Sequence, residues 1–186
     1  MSRIWFTSDL HFCHDREFLY KPRGFTNVWD MNRCIVDNWN ARVGDDDDVY
    51  VLGDIMLNNN DEGMRLLGQL RGRIHIVTGN HDTATRIGLY NYCHNVVEVT
   101  AALYVNYKGY HFYCTHYPCV TGYLEQDDLK KMTCNLFGHT HQTTNFYNDM
   151  PFMYHVGVDS HEGKPVLIDD IIDDMNAKME ECKHLL

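Results

Sequence analysis

The chain has 186 residues, 44% of them hydrophobic and 23% charged, which suits one globular domain over 1–186 with a core of its own. Its formal net charge of −10 repels nucleic-acid backbones and anionic membrane surfaces, so neither is expected as a partner. The seven cysteines, at 13, 34, 93, 114, 119, 134 and 182, are odd in number and form no Cys-x-x-Cys pair, which argues against a disulfide framework or a thiolate zinc ribbon and suits a reducing cytoplasm.

In chain order, Met1 runs almost directly into the apolar Ile4-Trp5-Phe6, without the basic, apolar and small-residue succession of a secretory leader. No later segment has the apolar length of a membrane span, so the expected location is the cytoplasm. Ile4 to Thr7 predicts a first strand, buried on both faces. Val28, Met31, Ile35, Trp39 and Val43 recur at intervals of three and four, which predicts an amphipathic helix over 27–43. The carboxylate run Asp45 to Asp48 reads as a solvated turn. Val49 to Leu52 predicts a second strand, Met64, Leu66, Leu67 and Leu70 a helix after Asp61, and Arg73 to Thr78 a third strand.

The second half changes character. Val96 to Val99, Leu103 to Tyr107 and Tyr110 to Thr115 are strand-like, with Lys108-Gly109 as a tight turn. Asn135 to Phe137 and Phe152 to Val156 predict two more strands. Asp169, Asp170, Asp173 and Asp174 precede Lys178 and Lys183, the charge order that suits the dipole of a C-terminal helix. The early β-α-β-α-β order predicts an α/β fold, and the later hairpins predict a mixed second sheet packed on the first.

Five motifs follow predicted strands: Asp9-Leu10-His11, Gly53-Asp54, Gly79-Asn80-His81-Asp82, His116 and Gly138-His139-Thr140-His141. Ligands of open α/β sheets gather beyond the carboxyl ends of the strands, so this placement is coherent. Carboxylate, amide oxygen and imidazole together suit Mn, Fe, Zn, Co or Ni, with no thiolate needed. If these segments are extended, alternate residues of Asp-x-His and His-x-His face one site, and the glycines at 53, 79 and 138 permit tight turns beside it. The expected site is therefore a binuclear metal centre.

This ordered set resembles the calcineurin-like metallophosphoesterases, and the start Phe6-Thr-Ser-Asp-Leu-His-Phe is similar to their small bacterial and phage members, as is the later Gly157-Val158-Asp159. The resemblance implies a two-sheet α/β/β/α sandwich of mixed sheets flanked by helices. It implies two divalent transition-metal ions, manganese favoured. One ion takes Asp9, His11 and His141, the other takes Asn80, His116 and His139, Asp54 bridges them, and His81 faces the substrate as the catalytic acid. The implied reaction is in-line hydrolysis of a phosphodiester or a small phosphorylated metabolite or nucleotide by a metal-bridging hydroxide. The phosphoprotein phosphatases of this superfamily follow Gly-Asp with a further Asp and an Arg; here Ile55-Met56-Leu57-Asn58 follows, which argues against a protein phosphatase and leaves open what steadies His81, with Asp82 as one candidate.

His14, past the apex of the first loop, and Arg23, in the basic segment with Arg16 and Lys21, are candidate contacts to a substrate phosphate. Cys13 could be oxidised beside the metals or be inert. Substrate choice is expected from loops near 14–26, 56–62 and 117–133, where Tyr117 and Tyr123 could stack on a base. The rival readings are a metal-dependent nuclease, which the acidic chain disfavours, a non-catalytic scaffold, which the complete ligand set disfavours, and a regulatory metal-binding module without turnover.

Overall fold

A computed structural model describes residues 2–122 and 127–184. Tyr123 lies outside the described residues. Apolar runs of four or five residues give the first strands: β1 (Ile4–Thr7), β2 (Asp48–Leu52) and β3 (Arg73–Val77). Between them lie α1 (Glu17–Tyr20), α2 (Val28–Asn40) and α3 (Asn60–Leu67), and after them come α4 (Ala84–Tyr90) and β4 (Val96–Thr100). The chain continues through β5 (Leu103–Tyr107), β6 (Tyr110–Cys114), β7 (Thr133–Phe137), β8 (Met153–His155), β9 (Val166–Leu167) and α5 (Ile168–His184).

Two mixed sheets result. The first has the order β4-β3-β2-β1-β9, with β1 to β4 parallel and β9 antiparallel at the edge. The second has the order β5-β6-β7-β8, with only the β5–β6 hairpin antiparallel. Strand alternation divides the core. Trp5, Val49, Val51, Ile74 and Ile76 pack with Met31, Ile35 and Trp39 of α2 and Leu66 and Leu67 of α3. Phe6, Leu52 and Val77, on the opposite face, pack with Phe112, Leu136 and Tyr154 of the second sheet. Ile171, Met175 and Met179 bring α5 onto that second cluster. The predicted sandwich with flanking helices is thus observed. No helix among the described residues is long and apolar enough to cross a membrane, and all seven cysteines are free thiols.

Several boundaries differ from the sequence expectations. Asn27 caps α2, its side chain accepting from the Asp30 amide. The helix stops at Asn40 rather than 43, yet Val43 stays buried because its amide still reaches Trp39 O, at 2.9 Å. Helix α4 was not anticipated, because Tyr90 is its one buried residue and no periodic stripe marks it. Strand β4 extends the first sheet alongside β3 instead of joining the later hairpin.

The carboxylate run is only half a solvated turn. Asp45 and Asp46 are exposed, but Asp47 is 5% exposed and Asp48 opens β2, paired with Arg73 at 2.7 Å. Asp47 accepts hydrogen bonds from Gly44 N (3.0 Å), Arg3 N (2.8 Å), Arg3 Nε (3.1 Å) and Trp5 Nε1 (2.9 Å). Burial acts to raise its pKa, but these donors win and hold it down at about 2, below the ordinary 3.8. A depressed folded pKa gives stability that is full above the unfolded value and is lost as pH falls through the folded one. Asp47→Asn should therefore destabilise the protein by on the order of 1–3 kcal/mol near neutral pH, through donors left badly paired. The gap between wild type and variant should close as pH falls from about 4 to about 2 in thermal melts. A gap that stays constant through that window would refute the assignment.

Candidate metal centre

The five motifs meet at one end of the sandwich. Asp9 leaves β1, Asp54 leaves β2, Asn80 leaves β3, His116 leaves β6, and His139 and His141 leave β7. The two sheets are stitched there by a bridge between Ser8 and Gly157, with Val158 N donating to Ser8 O at 3.2 Å. The first two loops run side by side: Asp9 N donates to Gly53 O, His11 N to Asp54 O and Phe12 N to Ile55 O, at 2.9–3.0 Å.

The segments are not extended, as the alternation argument supposed. Asp9 (φ 57°), His11 (φ 50°), Asp54 (φ 56°), His139 (φ 67°) and His141 (φ 49°) all adopt the left-handed region. Non-glycine residues pay for that conformation, and such outliers gather where a fold over-determines a functional geometry. Gly53, at φ 93°, makes the tight turn expected of it, but Gly79 and Gly138 act differently. A Cβ on Gly79 would fall on the Asp54 carboxylate, and one on Gly138 would fall on Ser8 and Asp9. Both positions are glycine for close approach rather than for positive φ.

The side chains form two groups around a shared carboxylate. In the first, His11 Nε2 and His141 Nε2 lie 3.1 Å apart, each 3.8 Å from Asp9 Oδ1. In the second, Asn80 Oδ1 lies 2.9 Å from His116 Nε2 and 2.9 Å from His139 Nδ1. Asp54 Oδ2 is 3.6 Å from His11 Nε2 and 3.5 Å from His116 Nε2, so it borders both. Nitrogen and oxygen ligands that each sit about 2.0–2.2 Å from one ion are themselves roughly 3–3.6 Å apart; the separations within the second group and around Asp54 match that spacing, and the two Asp9 contacts, at 3.8 Å, lie just beyond it.

Hydrogen bonds aim the donor atoms. Asp9 Oδ2 accepts from Ser8 Oγ and from His139 N (2.9 Å), while Oδ1, on a fully buried residue, has no hydrogen-bond partner among the described residues. Asp54 Oδ1 accepts from His81 N at 2.9 Å, which leaves Oδ2 for the cavity. His116 Nδ1–H donates to Leu52 O at 2.8 Å, so Nε2 presents a lone pair to the carbonyl oxygen of Asn80. Acceptor facing acceptor at that distance is repulsive unless a cation lies between them.

The electrostatics agree. Asp9 and Asp54 are 0% and 1% exposed, and among the described residues neither carboxylate pairs with a Lys or Arg side chain. Burial pushes Asp54 up, the neighbouring His116 ring and the His81 amide oppose it, and the carboxylates of Asp9 and Asp82 add to the rise. Burial, then Arg23 and the neighbouring imidazoles, hold His11 well below the usual range; burial and His116 lower His139. Burial also acts to lower His141, but Asp159 and then Asp9 outweigh it and raise it. Imidazoles that shed their protons readily at His11 and His139, and an orphaned carboxylate oxygen on Asp9, suit divalent cations, whose binding would displace the proton that His141 is inclined to hold. Asp9, His11 and His141, and separately Asp9, Asp54 and His116, hold ligand atoms within 4.8 Å of one another.

The remaining expected residues are sorted by the structure. His81 stands at the open face, its imidazole 42% exposed, edge-on to His11 at 5.5 Å and with Nε2 4.0 Å from Asp54 Oδ2. Asp82 does not steady that ring. Its carboxylate accepts from Asp54 N and Gly79 N, both at 2.8 Å, and from Tyr90 OH at 2.7 Å, and so braces the loops below. His14 sits at the rim with Nδ1 3.3 Å from His11 Nδ1, and burial, with His81 and Arg16, holds its pKa down at about 4. Tyr117 is half exposed beside the second group, its ring 4.6 Å from that of His139.

Arg23 departs from the expected phosphate clamp. Its side chain is buried, with Nε 2.8 Å from Asp159 Oδ1 and Nη2 2.9 Å from both Asp159 Oδ2 and Asp9 O. Those donors are already engaged beneath the ligands. Asp159, in turn, accepts from His141 Nδ1 at 2.8 Å. Sequence reasoning noticed Asp159 only as part of a Gly-Val-Asp likeness and gave it no role. The Cys13 thiol is buried and burial pushes its pKa to about 11, which makes it an inert core group rather than a redox one.

Residues 3–158 match the profile of the calcineurin-like phosphoesterase superfamily domain. An uncharacterised protein of Methanocaldococcus jannaschii is 32% identical over 183 residues, spanning 92% of this chain and 90% of its own length. The gene 66 protein of Mycobacterium phage L5 is 28% identical over 205 residues, spanning 97% of this chain and 98% of itself. A solved protein of unknown function from Aquifex aeolicus shares the fold, with a TM-score of 0.68 at 23% identity over 93% of this chain and 99% of its own.

Proposed function

The chain belongs to the calcineurin-like phosphoesterase superfamily, and on that premise we propose that it is a two-metal hydrolase of phosphodiesters or small phosphorylated metabolites and nucleotides. One observation carries the reading: two groups of nitrogen and oxygen donors share the buried, under-compensated Asp54 carboxylate, and both are complete. A scaffold that had abandoned turnover would have no reason to keep every donor. Asp9, His11, His141 and Asp54 would hold one ion, and Asp54, Asn80, His116 and His139 the other. Bound divalent ions supply charge neutralisation for the phosphoryl oxygens and an activated water near neutral pH.

The chain's own groups do the rest. Asp54 Oδ1 fixes the backbone of His81, and Arg86 Nη1 donates to His81 O at 2.6 Å, so the loop is clamped from both sides while the imidazole stays free at the mouth. A proton on that ring is placed to reach a leaving oxygen. The mixed carboxylate, amide and imidazole donor set suits Mn, Fe, Zn, Co or Ni, and the family resemblance favours manganese among them. The position after Asp54 is filled by Ile55 and Met56, both fully buried, where a phosphoprotein phosphatase would place charge.

That difference sets the substrate prediction. With Mn²⁺, the purified chain should hydrolyse phosphodiesters or small phosphorylated metabolites at least about tenfold better, in kcat/KM, than phosphoserine peptides, a gap of about 1.4 kcal/mol. Fast dephosphorylation of the peptides with diesters and small monoesters untouched would overturn it.

A further inference from the structure

Behind the first donor group lies a charged network that the proposed reaction does not use. Asp159 Oδ2 accepts from His141 Nδ1 at 2.8 Å and from Arg23 Nη2 at 2.9 Å, and Asp159 Oδ1 accepts from Arg23 Nε at 2.8 Å. Arg23 Nη2 also approaches His141 Nδ1 at 3.4 Å, but the carboxylate contact is the shorter and takes the ring proton. The same nitrogen donates to the carbonyl of Asp9, whose backbone is left-handed. Among the described residues, Arg23 and Asp159 therefore touch Asp9 and His141, both in the first group, and reach the second only at one remove, through the Asp9 carboxylate that accepts from His139 N. The Arg23 and Asp159 side chains are nearly buried, at 7% and 11% exposed, so their pairing is little weakened by solvent.

We propose that Asp159 and Arg23 are positioning residues that build the first metal position alone. Asp159 holds the His141 proton on Nδ1 and turns the Nε2 lone pair to the cavity, and Arg23 pins Asp159 and the strained Asp9 backbone together. A carboxylate behind a ligating imidazole fixes its tautomer and raises its basicity. The second position has its own brace, Leu52 O behind His116, and does not depend on this one. The inference rests on the two-metal reading above.

The test is titration of the metal-free, full-length chain with MnCl₂ by calorimetry. Wild type should take up two ions. Asp159→Asn keeps the side chain's shape but turns one terminal oxygen into a donor facing either Arg23 or His141. It should weaken one ion by about 10–100-fold and leave the other unchanged. Arg23→Lys, which keeps the charge but loses the paired contact, should weaken the same ion, and serves if the first variant folds poorly. His141→Ala should also weaken that ion, and adding Asp159→Asn to it should bring no further loss, because Asp159 acts through His141. A merely structural role would loosen both ions together, or give losses that add in full, and either result overturns the proposal. Uptake of a single ion by wild type would instead defeat the two-metal reading; the positioning role would then stand or fall on the same non-additivity at that one ion.

Discussion

Asp54→Ala should reduce kcat/KM by roughly 10³-fold or more on any substrate the protein hydrolyses, because charge stabilisation by bound ions is worth several kcal/mol and each 1.36 kcal/mol is a factor of ten. His11→Ala should cost less. The reason is geometric: Asp54 Oδ2 lies within 3.6 Å of a donor in each group, whereas His11 belongs to the first. Asp54 also accepts the His81 amide through Oδ1, so the alanine variant frees the loop that carries the proposed acid. Asp54→Asn keeps an acceptor for that amide and separates the two contributions. Steady-state kinetics with Mn²⁺, read together with metal content, decide the point. Equal and mild losses for Asp54→Ala and His11→Ala would remove the bridging role.

His81→Ala should leave metal content unchanged and lower turnover by roughly 10²–10⁴-fold on an alkyl phosphate ester. The loss should be far smaller on a nitrophenyl ester, whose leaving group departs without protonation. The imidazole stands at the mouth of the site, and its nearest carboxylate oxygen is 4.0 Å away, so it borders the donors without belonging to either group. A group that simply bound phosphate would weaken both esters alike, and a ligand would take an ion with it. Loss of a metal, or equal losses on the two esters, would show that His81 has a different task.

The site was legible because its residue types are specific and its strands are short. Runs such as Ile4 to Thr7 and Val49 to Leu52 are too short for core helices, and each ends on a carboxylate beside glycine or an imidazole. That placed all seven donors at strand ends, and the structure brings them together. What stayed hidden depends on distant partners. Arg23 and Asp159 are separated by 136 residues, and no local pattern announces their pairing; Arg23 instead read as a candidate phosphate contact in a basic loop. Asp47 looked like a solvated acid because its donors, Arg3 and Trp5, come from β1 and the residues before it. Asp82, adjacent to His81 in sequence, points away to Tyr90 and the Asp54 amide. Adjacency along the chain is weak evidence of contact when the backbone turns left-handed within a few residues, as it does through Asp9, His11 and Cys13.

Anomalous diffraction from crystals loaded with Mn²⁺ would locate the ions themselves. Two peaks are expected, one among Asp9, His11 and His141, the other among Asn80, His116 and His139, with the Asp54 carboxylate in contact with both. A single peak in fully loaded protein, or two peaks that do not share Asp54, would contradict this arrangement.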